Sequence, residues 1–323
     1  MRHVSNHSGV ITRRLVTVLG VALAITLCAS CGPDQEQEAI DQTGFKTPEE
    51  AVTALVAAVR ADDMAKMTAI LGPDSEDLLD SGDEVADKNG REDYLELFDE
   101  AHRTEIEEEG VAILYIGSLD WPFPIPIVAE EGLWYFDTME GREEIIDRRV
   151  GRNELSTIQV CLAYVDAQQE YFRTDWDEDG ILEYAQKKRS SPDKKDGLYW
   201  PTEEGEELSP LGDMAADAEE EGYDVDDPAE GPRPYHGYFF RILKSQGENA
   251  PGGAYDYLVG ENMIGGFALV AWPAEHADSG VMTFLVNHDG KVFEKDLGPE
   301  TAELVKAITS FDPDDSWKPA PTE

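Results

Sequence analysis

The amino-acid sequence predicts an α+β fold, because helical and strand-like patterns occupy separate stretches of the chain instead of alternating along it. Helical spacing of apolar residues fills 47–102, β patterns fill 111–136, and a long helical stripe then precedes a strand-rich last third. The 323 residues are 41% hydrophobic and 9% aromatic, enough to build cores despite many charges. We therefore expect two α+β domains, over residues 44–150 and 151–323.

The first 31 residues have the pattern of a bacterial export signal. Arginines precede an uncharged, mostly apolar run over residues 15–30, which is shorter than the roughly 20 residues needed to span a bilayer. The small pair Ala29-Ser30 stands directly before Cys31. This arrangement resembles the lipobox of bacterial lipoproteins, in which the cysteine is acylated. We therefore expect a signal peptide over residues 1–31 that ends at the lipidation site Cys31.

This signal and the net charge together restrict where the protein acts and what it binds. We expect a lipoprotein at the periplasmic face of a bacterial membrane, tethered by residues 32–43, or a periplasmic or extracellular protein if Cys31 is not acylated. The chain has 26 basic and 69 acidic residues and a net charge of −43, so nucleic acid is excluded as a partner. The expected partner is an envelope protein or a small ligand.

The N-terminal domain is predicted to begin with helices and to continue with strands. Thr47-Pro48-Glu49-Glu50 combines the N-cap, the proline and the acid of a helix start. The segment 121–127 contains three prolines, which exclude a central strand and indicate an edge or a cover over the sheet. The order resembles the cone-shaped fold of nuclear transport factor 2-like domains. The predicted elements are helices from Thr47, over 63–71 and over 91–102, and strands over 111–116 and 134–136.

The C-terminal domain is predicted to be a long helix packed on an antiparallel sheet. Apolar residues recur at steps of three and four from Leu155 to Phe172, which favours packing on a sheet over a coiled-coil partner. This helix should begin near residue 153, and the shape resembles the head of type II pseudopilins. The acidic stretch 213–230 is predicted to be a solvated loop. The predicted strands cover 238–243, 266–272, 281–287 and 291–295, the last two joined by a hairpin at 288–290.

Residues 175–183 form the strongest candidate for a metal site. Carboxylates at positions 1, 3 and 5 of a loop converge when a glycine at position 6, here Gly180, permits a sharp turn. Position 12 holds Gln186 instead of a bidentate glutamate, so the alternatives are a shortened calcium loop and a solvated acidic turn. The candidate calcium ligands are the carboxylates of Asp175, Asp177, Asp179 and Glu183 and the backbone carbonyl of Ile181.

Evidence for catalysis is sparse. The S-x-x-K pattern at 191–194 lacks its companion motifs and contains a proline, which breaks the required helix. His236 and His288 adjoin predicted strands, where a structural hydrogen bond is more common than a general base. Cys161 lies in an apolar stripe and is expected in the core. Core packing rather than a pocket is also expected for the aromatic residues Trp121, Phe123, Trp134, Tyr135 and Phe136.

Segments spread over most of the chain resemble one family. They include DWPFPIPIV (120–128), GREEIIDRRVGRNEL (141–155), CLAYVDAQQEY (161–171), DGLYWP (196–201), HGYFFRIL (236–243), GGFALVAWPAE (265–275) and FLVNHDGKVFEKDLGP (284–299). This set resembles the bacterial exported family catalogued as domain of unknown function 2950, which implies no activity to transfer. We expect a non-enzymatic cell-envelope protein that acts as a binding or interaction module. The alternative is an envelope hydrolase with a carboxylate or histidine site.

Overall fold

A computed structural model describes residues 42–202, 205–206, 208–223 and 233–321. The predicted signal peptide, Cys31 and residues 32–41 of the tether lie outside this part of the chain. Within the described residues, no helix combines the length and the apolar character required to cross a membrane.

The described residues confirm the α+β class. The helices are α1 (Pro48–Arg60), α2 (Met64–Leu71), α3 (Glu76–Leu79), α4 (Glu84–Glu100), α5 (Thr138–Tyr171), α6 (Gly212–Glu220) and α7 (Thr301–Leu304), with 3-10 turns at Pro73–Ser75 and Val305–Ala307. The strands are β1 (His102–Glu108), β2 (Val111–Ile116), β3 (Trp121–Pro122), β4 (Ile127–Glu130), β5 (Leu133–Phe136), β6 (Tyr238–Leu243), β7 (Ser245–Gln246), β8 (Tyr255–Asp256), β9 (Leu258–Val259), β10 (Asn262–Met263), β11 (Ala268–Pro273), β12 (Met282–Asn287), β13 (Phe293–Asp296) and β14 (Lys318–Pro319).

The first half of the chain packs helices on an antiparallel sheet of order β1-β2-β4-β5, with β3 paired to β2. Helix α1 begins as predicted: Thr47 Oγ1 accepts a hydrogen bond from Glu50 N at 3.2 Å. The Glu50 carboxylate in turn accepts from Lys46 N, which satisfies another backbone donor at the helix start. A buried cluster that includes Leu55, Met67 and Leu114 holds these helices and the sheet together.

The second half is an antiparallel sheet of order β14-β13-β12-β11-β6, against which helix α5 packs. The predicted hairpin is confirmed, because β12 pairs with β13 and Leu285 lies opposite Phe293. The core of this half contains Cys161, Phe267 and Phe284, all fully buried. Cys161 is thus a core residue, as expected, and burial raises the pKa of its thiol to about 12.

Helix α5 is longer than predicted and contributes to both cores. It starts at Thr138, where Asp137 Oδ1 caps Glu140 N, well before the predicted start near residue 153. Its first half packs Ile145 on the N-terminal core, and its second half places Tyr164 and Val165 in the C-terminal core. Its N-terminal turns are rich in charged residues, so the apolar stripe alone did not reveal them.

The buried face of α5 also differs from the predicted stripe. Leu155 is 62% exposed and Gln169 is exposed, whereas Tyr164 and Gln168 are buried. Gln168 fits the core because its amide is fully paired: its Nε2 donates to Ala185 O and its Oε1 accepts from Ala185 N, both at 2.8 Å. Burial of this polar side chain depends on a tertiary partner that helical periodicity does not predict.

Three further expectations need correction. Strand β1 begins at His102, the last residue of the helix predicted over 91–102. The sequence did not predict this strand, because HRTEIEE has no buried apolar face. The acidic stretch 213–230 is no simple loop: α6 forms its first part and buries Ala215 and Ala218, while 224–230 lie outside the described residues. Trp121, expected in the core, is 52% exposed on the short edge strand β3.

Candidate functional site

A cavity with a volume of about 700 Å³ lies beside helices α5 and α6. One wall is the C-terminal sheet, which contributes Phe240 from β6 and Leu269 from β11. Tyr164 of α5 lines the adjacent wall. A volume of this size falls within the usual range for sites that hold a drug-sized ligand.

Helix α6 forms another wall of the cavity, and its small side chains leave the space open. Met214, Ala215 and Ala218 line the cavity, while Ala216 on the same helix is exposed. The lining positions follow the three- and four-residue spacing of one helical face. The sequence folds locally as a helix because this apolar face is buried, although its other face is acidic.

The cavity lining contains cationic side chains from two segments, in a chain with a large net negative charge. Lys188, Arg189 and Arg233 all line it. The Lys188 ammonium has no hydrogen-bond or ion-pair partner among the residues that the structure describes, and lies 6.0 Å from the Phe240 ring centroid. Its side chain reaches solvent through the cavity, yet burial by the surrounding protein atoms lowers the pKa of Lys188.

Three side chains next to Lys188, those of Lys187, Ser191 and Asp196, form a hydrogen-bonded brace that holds the segment 187–196. Asp196 accepts hydrogen bonds from Lys187 Nζ at 2.7 Å and from Ser191 N at 2.7 Å. Burial acts to raise the pKa of Asp196, but the hydrogen bonds from Lys187 and Ser191 outweigh it and lower the pKa to about 2. The brace therefore keeps its charge across the physiological pH range.

The same brace explains why Ser191 is a poor candidate for a nucleophile. Lys187 Nζ donates to Ser191 Oγ at 2.6 Å, so serine and lysine are in contact, but the lysine is not the Lys194 of the S-x-x-K pattern. Lys187 also pairs with the ionised Asp196 at 2.7 Å. An ammonium paired with a carboxylate is stabilised in its charged form, which makes it a weak general base.

Hydrogen bonds to Asp83 hold the opposite side of the cavity. Asp83 Oδ1 caps Ala86 N, while its Oδ2 accepts from Tyr223 Oη at 2.9 Å and from Gly237 N at 2.8 Å. Asp83 is 2% exposed, and these three hydrogen bonds satisfy both of its carboxylate oxygens. It lines the cavity as a structural group whose hydrogen-bonding capacity is already used.

Neither predicted histidine forms an acid–base pair in the cavity. His236 Nε2 lies 3.5 Å from Glu221 Oε2, which is longer than a good hydrogen bond, and His236 is not among the lining residues. His288 Nδ1 is buried against the rings of Tyr257 and Phe267 and has no hydrogen-bond partner within the described part of the chain. His276 does bond Asp296, at 2.9 Å, but outside the cavity lining.

The acidic loop places three of the predicted calcium ligands together. Oxygens of Asp175, Asp177 and Asp179 lie within 4.8 Å of one another. Gly180 has φ of 89°, the left-handed conformation that the predicted turn requires, and its N donates to Asp175 Oδ2 at 2.9 Å. The other oxygen, Asp175 Oδ1, is buried and has no hydrogen-bond partner in the described structure.

Several oxygens of the predicted ligands already accept hydrogen bonds, including both oxygens of Asp179, from Ile181 N at 2.7 Å and from Asn262 Nδ2 at 3.0 Å. Glu183 Oε2 accepts from Met263 N at 3.1 Å, so one of its oxygens already has a donor. Burial raises the pKa of Glu183, the hydrogen bond from Met263 N opposes this, and the charges of the three aspartates add to the rise. Ile181 is bound through its N–H to Asp179 Oδ1, and Gln186 bonds Glu261 O instead of facing the loop.

Sequence analysis missed the cavity and Lys188, although one signal was available. Residues 187–195 contain five of the chain's 26 basic residues, in a protein with 69 acidic ones. A local excess of positive charge in such a chain indicates either compensation of nearby acids or an anion site. Only the packing distinguishes compensation from an anion site, since Lys187 pairs with Asp196 whereas Lys188 pairs with no acid that the structure describes.

Comparison with known proteins agrees with the sequence resemblance. A family model described as protein of unknown function (DUF2950) matches residues 42–320. No significant match was found among curated proteins or among solved structures. Because the match covers most of the chain and nearly all of the described structure, the protein belongs to the DUF2950 family.

Proposed function

We propose that this protein is a non-enzymatic component of the bacterial cell envelope that binds a small ligand in the cavity beside α5 and α6. The observation that carries the proposal is the 700 Å³ space itself, lined by aromatic and apolar side chains and by the Lys188 ammonium, which has no hydrogen bond or ion pair among the described residues. Ligand sites of this kind are concave, mostly apolar and contain a few polar groups that orient the ligand.

The envelope location is proposed from the N-terminal sequence. The apolar run at 15–30 and the small residues before Cys31 support export followed by acylation of that cysteine. The polar tether at 32–43 would then separate the folded part of the chain from the membrane surface. Such separation suits an acidic protein, since anionic lipid headgroups repel it.

The alternative of an envelope hydrolase has less support. Ser191 contacts a lysine that is paired with Asp196, and the histidines form no pair with a carboxylate in the cavity lining. A hydrolase of the serine or histidine type needs a base within hydrogen-bond reach of its nucleophile or water.

A calcium ion bound by the loop at 175–183 is a second proposal, with a structural role. The clustered aspartate oxygens and the unpartnered, buried Asp175 Oδ1 support it, because a hard cation prefers several carboxylate oxygens. Asp175, Asp177 and Asp179 would be the main ligands, with Ile181 O and the second oxygen of Glu183 as further donors. Bound calcium would remove the mutual repulsion of these acids at the end of α5.

The cavity proposal is tested by blocking the space. Ala218→Trp should fill the cavity, whereas Ala216→Trp on the exposed face of the same helix should not. Each protein would be purified under native conditions from its own host, and small molecules released on denaturation would be identified by mass spectrometry. We expect one compound with wild type and Ala216→Trp that is absent from Ala218→Trp. Equal recovery from both tryptophan variants would contradict binding in this cavity.

A further inference from the structure

We infer that the cavity ligand is an amphiphilic anion, with one negatively charged group beside the Lys188 ammonium and an aromatic or aliphatic body against the apolar walls. The inference rests on the proposed function and names the ligand class. It follows from the distribution of charge in the lining and from the chemistry of the walls.

The first step is the local reversal of charge. The whole chain carries −43, yet the lining contains the cations Lys188, Arg189 and Arg233 against the acids Asp83 and Glu84. The Asp83 oxygens already accept hydrogen bonds from three neutral donors, so this carboxylate is not free to bind a ligand cation. The chain as a whole repels anions, so a described lining with more cations than acids makes this cavity a local exception at which an anion is favoured.

The second step concerns Lys188 itself. Arg189 and Arg233 have interactions with other groups, whereas the Lys188 ammonium has neither a hydrogen bond nor an ion pair among the described residues. Lys188 is exposed to solvent through the cavity and has no anion beside it among the described residues, so an anionic ligand that enters the cavity gains an ion pair with it. The neighbouring brace of Lys187, Ser191 and Asp196 holds the backbone of this segment in place, so the ammonium is positioned before a ligand arrives.

The third step is the body of the ligand. Val160, Leu211, Met214 and Leu269 contribute aliphatic surface, and Tyr164, Tyr199 and Phe240 contribute ring surface. The Tyr164 hydroxyl donates a hydrogen bond to Ala268 O and accepts one from Gln168 Nε2, and burial raises its pKa. This hydroxyl therefore bonds other core groups, and Tyr164 offers the cavity only its ring. Walls of this kind favour an apolar body over a sugar, whose many hydroxyl groups would lose their hydrogen bonds with water.

The test uses two fluorescent probes with the same aromatic body. The first is 8-anilinonaphthalene-1-sulfonate, which is an anion, and the second is the neutral N-phenyl-1-naphthylamine. Both would be titrated into the full chain and into Lys188→Met, with Lys194→Met as the control. Lys194 lies in the same segment, is exposed and does not line the cavity, so its substitution changes the net charge equally.

We expect Lys188→Met to weaken binding of the anionic probe by about tenfold, the loss expected for one charge-assisted contact, and to leave the neutral probe unchanged. Lys194→Met should bind both probes as wild type does. Ala218→Trp, compared with Ala216→Trp, should abolish binding of both probes and so place them in the cavity. Lys188→Met should melt as wild type does, because the exposed ammonium has no hydrogen bond or ion pair to lose among the described residues.

The other outcomes separate the inference from the proposed function. If wild type binds both probes in the cavity and Lys188→Met binds the anionic probe as tightly as wild type, the cavity is a ligand site without anion preference and the inference is wrong. If Lys188→Met weakens both probes equally, Lys188 acts only on the shape of the cavity, and the inference is again wrong. If Ala218→Trp leaves both probes bound, or if neither probe binds wild type, the cavity proposal loses its support as well.

Discussion

Arg149 of helix α5 donates a hydrogen bond from Nη1 to Asp278 Oδ1 at 2.7 Å, and this pair joins the two halves of the chain. The same guanidinium donates to the backbone carbonyls of Asp77 and Leu78, at 2.9 and 2.7 Å. The side chains of Arg149 and Asp278 are 11% and 16% exposed, so both charges are largely removed from water. One arginine thus connects α5, the end of α3 and the loop before β12.

Arg149→Met should destabilise the fold by about 3 kcal/mol, because it leaves the Asp278 carboxylate buried without its partner. The measurement is chemical denaturation near neutral pH. Arg148→Met is the control, since the Arg148–Glu144 pair is exposed and such pairs contribute about 0.5 kcal/mol or less. Similar losses in both variants would contradict a special role for Arg149.

The cost of Arg149→Met should decrease as the pH falls. Burial raises the pKa of Asp278, although Arg149 opposes the shift, and loss of the arginine would raise it further. A carboxyl group with a raised pKa in the folded state destabilises the protein while ionised, and this effect disappears as the pH falls through that pKa. Denaturation at mildly acidic pH should therefore show a smaller gap between variant and wild type. A constant gap would mean that the lost backbone contacts dominate.

The melting temperature should rise with added sodium chloride from low to moderate concentration. Removal of residues 1–31 takes away three arginines and no acids, so the net charge changes from −43 to −46. Repulsion among these charges is screened over about 8 Å at physiological ionic strength. A flat or falling melting temperature would show that local pairs already compensate the charges.

Calcium should raise the melting temperature of wild type but not of the double variant Asp177→Asn, Asp179→Asn. Metal at a hundred times its dissociation constant would add about 2.7 kcal/mol of stability by mass action. The double variant Asp93→Asn, Asp147→Asn is the matched control, because it removes two exposed acids elsewhere. Magnesium should have a weaker effect. The same response to calcium in both double variants would show that the loop is an acidic turn and not a calcium site.

Radiolabelled palmitate should enter wild type and not Cys31→Ser, if Cys31 is the acylated residue of an exported lipoprotein. The physical basis is the short apolar run at 15–30, which suits export and not a stable membrane span. An intact N-terminus at Met1 on protein recovered from the cytoplasm would contradict the location.

Affinity for the anionic probe should fall as the pH rises into the alkaline range, earlier than expected for an ordinary lysine. Burial lowers the pKa of Lys188, so its ammonium loses the proton at a lower pH. Burial raises the pKa of Tyr235 to about 12 and also raises the pKa of Tyr164 and Tyr223, so these hydroxyls stay neutral longer. The remaining titratable or charged lining groups are Asp83, Glu84, Arg189, Tyr199 and Arg233.

Lys188→Met is the control for this pH dependence, and it should flatten the profile of the anionic probe. Lys188→Arg should keep the binding and extend it to higher pH, since a guanidinium stays charged. A decline that persists unchanged in Lys188→Met would assign the titration to another lining group.

Local patterns were sufficient to predict much of the fold. The cap at Thr47, the strand at 111–116 and the hairpin between β12 and β13 depend on neighbouring residues, and the structure contains all three. The exposed strand β1 was missed because its pairing with β2, and not its own apolar pattern, makes it a strand. Helix α6 was missed because its acidic composition outweighed its three- and four-residue apolar spacing.

The sequence by itself determined the family, the fold class, the acidic charge and the convergence of three aspartates around Gly180, because each depends on composition or on residues close in the chain. The cavity was decided only by tertiary structure, since its lining comes from residues as distant as Asp83, Lys188 and Leu269. The different roles of Lys187 and Lys188 were decided in the same way. Adjacent lysines have the same intrinsic chemistry, and only the folded chain gives one a carboxylate and the other an open cavity.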